Sequence, residues 1–367
     1  MRLVDAILPG FRTIRERPAG CLAAGAWLAM WGLVAIRFDR VTGTLVGGAW
    51  DDWVALAAIL ATLWLAQVYG GVGRPPSESR PPGQWALAWD AFRRHRPAML
   101  GLTLVGALAL IALLTPYLAP HDPAAQALDI VAGRFRPPSW EHPMGTDEFG
   151  RDVLSRVLYG GRVSLAIGTL AILIAVSLGS LVGSLAGYVR GWVDAVAMRT
   201  VDLLLSFPRL VLLITIVAFV TPSVFLITVV LGLTGWMATS RLVRGEVLSL
   251  REREFVQAAR ALGLSRSRIL LRHVLPNAAG PIIVAATLGI GNTILVEASL
   301  SFLGMGVPPP APTWGGMVAD GKEALLTAPW ITLFPGLAIV LTVMSFNLVG
   351  DGLRDALDPR ALDRGGR

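Results

Sequence analysis

Residues 254–277 read EFVQAARALGLSRSRILLRHVLPN and lie between two long apolar runs. The stretch is rich in alanine, leucine and arginine, which favour helices. It has glycine at position 263, where a helix can end, and proline at position 276, where one can be kinked. A membrane protein that carries a charged helical segment between two apolar runs is expected to present that segment to a partner.

The composition predicts an all-α polytopic membrane protein. Apolar residues make up 54% of the 367 residues, and charged residues only 16%. Soluble domains carry about a quarter charged residues, whereas chains with several membrane spans carry fewer. A soluble globular protein of this length is therefore excluded.

Residue types exclude several kinds of site. The only cysteine is Cys21, so one chain forms neither a disulfide nor a cysteine metal cluster. The only lysine, Lys322, is followed by Glu323, whereas a P-loop needs lysine followed by serine or threonine. No cofactor is expected in this chain, and any ATP and Mg²⁺ would be bound by another subunit. The histidines show no metal-ligand spacing and are predicted to be scattered in solvent or at interfaces: His95, His121, His142 and His273.

Eight apolar stretches are long enough to cross a membrane at about 1.5 Å per residue: 20–36, 53–72, 98–118, 163–189, 204–221, 223–240, 280–297 and 330–349. The first two are separated from the rest by a Pro-rich, polar sequence that is typical of a linker. They are interpreted as an accessory anchor, with a functional domain, or a cleaved signal peptide over 1–40, as the alternatives. The predicted organisation has four parts: the accessory pair 1–72, a cytoplasmic linker 73–96, a transmembrane domain of about six helices 97–360, and a tail 361–367.

The arginine distribution predicts the orientation. The net charge is +7, but the arginines cluster in particular loops, so a membrane protein is favoured over a partner of nucleic acid. The loop 241–272 alone has eight arginines and three glutamates. With eight spans, this loop, the N-terminal tail, the segment after the second span and the segment 190–199 all fall on one side. That side is predicted to be the cytoplasm, with both termini inside and the protein in the inner membrane.

The charged stretch is predicted to form two short helices joined at a glycine. Residues 252–262 suit the first helix, and Gly263 can take positive φ and end it. Four of its residues are expected to share a face: Phe255, Ala258, Ala259 and Leu262.

The second helix is predicted over 266–274, with Ser265 as its N-cap and Pro276 limiting or kinking it before the next span. Small side chains at Ala258 and Ala259 would let a partner approach closely. An amphipathic helix resting on anionic membrane lipid is the alternative interpretation of the segment.

The spacing of Ala258-Ala259, Gly263 and Leu275-Pro276 resembles the coupling loop of permease subunits of ABC importers. The resemblance implies that the segment 252–276 binds the ATP-hydrolysing subunit. Gln257 stands where the family usually has glutamate, so it keeps the size and hydrogen bonding but lacks the charge. The residues implied to make the contact are Phe255, Gln257, Ala258, Ala259, Gly263, Leu275 and Pro276.

Other stretches resemble the dipeptide, oligopeptide and nickel branch of the same family, in its second-permease subtype. They cover much of 85–360: HPMGTDEFGRDVLSRVLYGGRVSL at 142–165, GYVRGWVDAVAMRTVDLLLSFP at 187–208, the segment 297–330, and GDGLRDALDPR at 350–360. The resemblance implies a homologous permease subunit, two ATP-binding subunits and an external solute-binding protein as partners. It implies a short peptide as cargo, with nickel or another small solute as the alternative.

Three polar residues in one apolar run are candidates for lining a pathway. Glu297 lies about 25 Å along the helix from its cytoplasmic start. A carboxylate in lipid is costly, so Glu297 is expected either to line a pathway or gate or to anchor a helix end at the interface. Asn292 and Thr293 would line a conduit or join helices.

Two other classes of protein remain as rivals. An ion-coupled secondary transporter needs ionisable groups near the middle of its spans, and these are sparse here. A membrane-embedded enzyme needs clustered catalytic residues, and the sequence has no such pattern.

Overall fold

The computed structural model describes residues 84–358, so the accessory pair, the start of the linker and the tail lie outside the described residues. The longer helices are α1 (Gln84–Arg94), α2 (Arg96–Leu118), α4 (Val153–Val189), α5 (Gly191–Leu205), α6 (Arg209–Ala218), α7 (Val224–Arg251), α8 (Glu254–Ala261), α10 (Leu275–Phe302) and α12 (Trp330–Leu357). The short ones are α3 (Ile130–Gly133), α9 (Arg266–Ile269) and α11 (Trp314–Asp320). The described residues contain no strand beyond one isolated bridge, which agrees with the predicted all-α class.

Five helices are long and apolar enough to cross a membrane: α2, α4, α7, α12 and the continuous helix Arg266–Phe302. They contain the predicted spans 98–118, 163–189, 223–240, 330–349 and 280–297. The prediction of one uninterrupted span over 204–221 is wrong. The chain there forms α5 and α6, which meet at a bend of 83°.

The break between α5 and α6 has a local cause. Pro208 has no N–H to donate and disfavours helical backbone at Phe207. Helix α5 therefore ends before Pro208. Pro208 becomes the N-cap of α6, and α6 begins at Arg209. The bent pair counts as a sixth, broken span.

Helices α4 and α7 run parallel. A Cβ added at Gly232 would lie 3.0 Å from the carbonyl of Ala171, and one added at Gly187 would lie 2.9 Å from the carbonyl of Arg244. Residue numbers therefore rise together along both helices. The chain between them has to return across the bundle, and it does so as the broken span.

Small residues allow the close contact of α4 and α7. At Gly183, an added Cβ would overlap the carbonyl oxygen of Ser240. Such close packing of main chains is the usual means of helix association in a membrane, where apolar burial between helices gives little driving force.

The first and last described spans begin and end at the same end of the bundle. Phe92 and Ala98 pack with Val349 and Ala356 in one buried cluster. The start of α10 lies at this end too, because a Cβ added at Gly280 would lie 3.6 Å from the side chain of Leu357, the last residue of α12. Residues 252–274 directly precede α10, so the same end carries them. We call it the loop end, and its counterpart the opposite end.

At the opposite end, tryptophans hold the connecting segments to the helices. The Trp314 indole donates to the carbonyl of Val157 at 2.9 Å, and the Trp330 indole donates to the carbonyl of Thr146 at 3.2 Å. The segment 119–152 is thereby fixed onto the bundle.

Candidate functional site

The segment 252–276, which we call the coupling segment, turns at Gly263 as predicted. Gly263 has φ of 73°. Its N–H donates to the carbonyl of Arg260 at 2.9 Å, and the N–H of Leu264 donates to that of Ala259 at 3.2 Å. These two bonds form a Schellman motif, which satisfies carbonyls that the end of α8 would otherwise leave unpaired.

The four residues predicted to share one face of α8 do not all point the same way. Val256 and Ala259 are 0% and 5% exposed and pack inward. Phe255 and Leu262 are 41% and 79% exposed and point outward, and Ala258 is also exposed. The prediction that Ala259 lets a partner approach is therefore corrected, because its small side chain serves the contact of α8 with the chain itself. The inward residues belong to one cluster: Tyr188, Val243, Val247, Val256, Ala259, Ile269, Leu270 and Val274.

The second half of the coupling segment differs from the prediction. Ser265 occupies the N-cap position of α9, but its side chain makes no capping hydrogen bond. One turn of α9 is followed by a π-helical turn, Leu270–Val274, which continues into α10. Pro276 therefore does not end the helix.

The π-helical turn explains how the helix passes through Pro276. The N–H of Leu275 bonds to the carbonyl of Leu270, five residues back, so the hydrogen-bond register shifts just before the proline. Pro276 then lies in the first turn of α10, where a missing N–H is tolerated. The side-chain amide of Asn277 also donates to the carbonyl of His273 at 2.6 Å. Leu275 packs against the inward cluster, and Pro276 is exposed.

Arginines connect the coupling segment to the ends of α4 and α7. The Arg251 guanidinium donates from Nη1 to the carbonyl of Tyr188 at 2.7 Å. The guanidinium groups of Arg251 and Arg260 both lie 5.9 Å from the centre of the Tyr188 ring. A more exposed pair, Arg190 with Glu252 at 3.7 Å, contributes little because water screens it. The segment is therefore fixed to two long helices at once.

Two ion pairs hold α5 across the loop end of α7. Arg244 donates to both oxygens of Asp194, at 2.5 and 2.7 Å. Arg241 pairs with Asp202. Some of the arginines that the sequence analysis assigned to one loop thus lie at the end of α7, where they hold α5, the first half of the broken span.

A cavity of about 290 Å³ lies among α4, α6, α7 and α10. Its residues on α4, α7 and α10 come from the middle of each helix, so the cavity lies midway along the bundle. It is partly open, since Ala238, Leu242 and Asn292 are exposed. Asn292 and Thr293, predicted from the sequence, both line it. Asn292 is exposed, whereas Thr293 is buried and donates to the carbonyl of Gly289 at 2.8 Å. The sequence reasoning missed its other polar residues, Arg209 and Thr239.

Glu297 lies apart from the cavity. Its side chain is buried, 1% exposed, and Oε1 accepts a hydrogen bond from Ser301 at 2.8 Å. Glu297 does not reach the surface at the end of α10, because the start of α11 covers this part of the helix: a Cβ at Gly315 would lie 2.5 Å from Cα of Ala298. Glu297 is also not among the residues that line the cavity.

The histidines are less scattered than predicted. His121 and His142 lie with ring centroids 4.8 Å apart. Their Nδ1 atoms lie 3.7 and 2.9 Å from the carboxylate of Asp152, which is buried and also caps α4 through Ser155. The three residues lie up to 31 positions apart in the sequence, so spacing alone gave no signal for the cluster.

Two family models match this chain. One, described as binding-protein-dependent transport system inner membrane component, matches residues 179–363. The other, the N-terminal TM domain of oligopeptide transport permease C, matches residues 83–138.

Curated proteins are similar over most of the described region. The dipeptide transport system permease protein DppC of Alkalihalophilus pseudofirmus is 41% identical over 78% of this chain and 95% of its own length. The glutathione transport system permease protein GsiD of Escherichia coli is 42% identical over 78% of this chain and 93% of its own length.

Proposed function

The chain belongs to the family of binding-protein-dependent transport system inner membrane components, and from this premise we propose that it forms part of the translocation pathway of an ABC importer for short peptides. It is a multi-pass membrane protein with five or six spans in the described residues. The names of the similar proteins refer to dipeptides and glutathione, which favours a peptide cargo over nickel or another small solute.

The proposed complex contains four further components. They are a homologous permease subunit, two ATP-binding subunits and an external solute-binding protein. ATP and Mg²⁺ are bound by the ATP-binding subunits. The loop end faces the cytoplasm, as the arginine distribution favours, and residues 1–72 add an accessory pair of spans to the importer domain 97–360.

The coupling segment is the proposed contact with an ATP-binding subunit. This assignment rests on the two sides of α8. Val256 and Ala259 are buried and hold the helix against the rest of the chain, whereas Phe255, Ala258 and Leu262 are exposed. An apolar surface on a helix that is fixed to α4 and α7 suits a groove on a partner. Movement of the partner would then be transmitted to both long helices.

Site-specific crosslinking tests this assignment. With Cys21 replaced by alanine, Leu262→Cys places a single thiol on the exposed face of α8. A reagent that joins a maleimide to a diazirine reacts with this thiol and, on illumination, inserts into C–H or N–H bonds of whatever lies beside it. It is expected to crosslink Leu262→Cys to an ATP-binding subunit in membranes that contain the whole complex. Leu326→Cys, at least as exposed as Leu262 but at the opposite end, is the matched control and should give no such product.

Two results would contradict the proposal. One is crosslinking of Leu326→Cys but not Leu262→Cys to the ATP-binding subunit. The other is labelling of Leu262→Cys in intact cells by a membrane-impermeant maleimide, because the coupling segment would then lie outside the cell.

A further inference from the structure

Arg209 is the cationic group of the central cavity, and its donors are mostly unused. Nη2 donates to the carbonyl of Leu231 at 3.2 Å. Nε is buried and has no hydrogen-bond partner among the described residues. A guanidinium group has five N–H donors and stays charged at any pH that the protein meets.

The two arginines that connect α7 to α5 behave differently. Arg241 and Arg244 form ion pairs with Asp202 and Asp194. Within residues 84–358, Arg209 forms no ion pair. An arginine without a counter-ion inside a helical bundle is costly to maintain, and such residues commonly mark the route of a ligand or ion.

The position of Arg209 does not suit simple snorkelling to the surface. A long cationic side chain near a helix end can extend to the headgroups, but this guanidinium instead bonds to the main chain of α7. Room for it is left by Gly235, where an added Cβ would lie 3.4 Å from Nη2 of Arg209 and 3.0 Å from Cβ of Ala175. The packing of α4 and α7 therefore holds the charge at the cavity.

The broken span places the start of a helix beside the cavity, because Arg209, which lines it, is part of α6. Arg209 is the first residue of α6, and no side chain caps this helix start. The first N–H groups of a helix lack partners within the helix, and the helix dipole favours an anion beside them. Half-helices that begin inside a bundle and face an anionic group are a known solution in transporters.

We propose that Arg209, together with the start of α6, binds the carboxylate of the peptide at the central cavity. This inference rests on the proposed function. A peptide importer has to accept many side chains, whereas the C-terminal carboxylate is common to free peptides. The side chains of Asn292 and Thr239 at the same cavity provide neutral hydrogen-bonding groups for the peptide main chain.

Binding to the purified complex of permease and ATP-binding subunits tests the proposal, with the solute-binding protein left out so that its own preference does not contribute. The probes are alanyl-alanine, its C-terminal amide, and alanyl-glutamate amide, which carries only a side-chain carboxylate. The readout is the concentration that half-saturates a shift in thermal stability.

Alanyl-alanine is expected to bind, and its amide to bind about tenfold more weakly, because one charge-assisted contact is lost. Arg209→Gln should weaken the binding of alanyl-alanine by a similar factor and remove the difference in binding between the acid and its amide. Arg209→Lys should keep part of that difference. Arg199→Gln on α5, an exposed arginine that does not line the cavity, is the control and should behave as the wild type.

Equal binding of acid and amide to the wild type would overturn the inference, as would unchanged discrimination in Arg209→Gln. If alanyl-glutamate amide binds as well as alanyl-alanine, the site recognises any carboxylate rather than the C-terminus. Uptake by reconstituted vesicles separates this inference from the proposed function. Import of dipeptide that is insensitive to Arg209→Gln refutes only the inference, whereas failure of the wild-type complex to import any dipeptide refutes both.

Discussion

Arg251, the last residue of α7, donates a hydrogen bond of 2.7 Å to the carbonyl of Tyr188, near the end of α4. The same Tyr188 packs in the cluster that receives Val256 and Ala259 of α8. One tyrosine therefore joins both long helices to the coupling segment.

Arg251→Gln is expected to loosen the coupling segment, because it removes a charged donor to a carbonyl and one of the two cations over the Tyr188 ring. The lost bond is worth about 1.5–3 kcal/mol. Hydrogen exchange of the amides over 254–269 should become faster. Arg253→Gln, an exposed neighbour, should leave the exchange unchanged, and equal effects of the two variants would argue against a specific role for Arg251.

Val256→Asp is expected to detach α8, because Val256 is fully buried and a carboxylate has no partner in its apolar cluster. The cost should exceed about 2 kcal/mol. The thermal inactivation midpoint of the purified protein should fall. Gln257→Asp, on the exposed side of the same helix, should have little effect. Similar losses for both variants would mean that the two faces of α8 are assigned incorrectly.

Gly263→Ile is expected to weaken association with the ATP-binding subunits and to uncouple ATP hydrolysis from uptake. A Cβ at Gly263 would meet nothing within 4 Å, so the effect is purely conformational: φ is 73°, which β-branched residues avoid. Alanine should cost about 1–2 kcal/mol, and asparagine less. Copurification of the subunits measures the effect, and an isoleucine variant that copurifies and imports normally would contradict the docking role.

Gly183→Ala is expected to separate α4 from α7, because even one methyl group overlaps the carbonyl of Ser240. The expected loss of stability is about 1–3 kcal/mol. Gly245→Ala on α7 is the control, since nothing lies within 4 Å of its added Cβ. It should be neutral or stabilising by up to about 1 kcal/mol. The melting midpoints of both variants, measured in the same detergent, test this difference.

Features that depend on local sequence were predictable. The lengths of the apolar runs identified five of the six spans, because a run of about twenty apolar residues is long enough to cross the membrane as a helix. Gly263 identified the turn after α8 because few other residues adopt positive φ without cost.

Features that depend on packing were not predictable. A helix of eight residues such as α8 has apolar residues on two sides, and only contact with Tyr188 and Val243 shows that Val256 and Ala259 face inward. Arg209 was not among the predicted site residues, because its position beside Leu231 and Gly235 appears only once α6 and α7 are packed. The shift of register before Pro276 likewise depends on how α9 joins α10.

The contact of Gly183 with Ser240 limits where a translocation pathway can run. Along their shared length, α4 and α7 lie so close that not even a methyl group separates their backbones, so a solute has no passage through this seam. The two helices thus form one continuous wall, and the cavity lies beside it, towards α6 and α10. If the proposed pathway runs through this cavity, we expect it to open and close by movement of α6 and α10, while α4 and α7 move together as a single body.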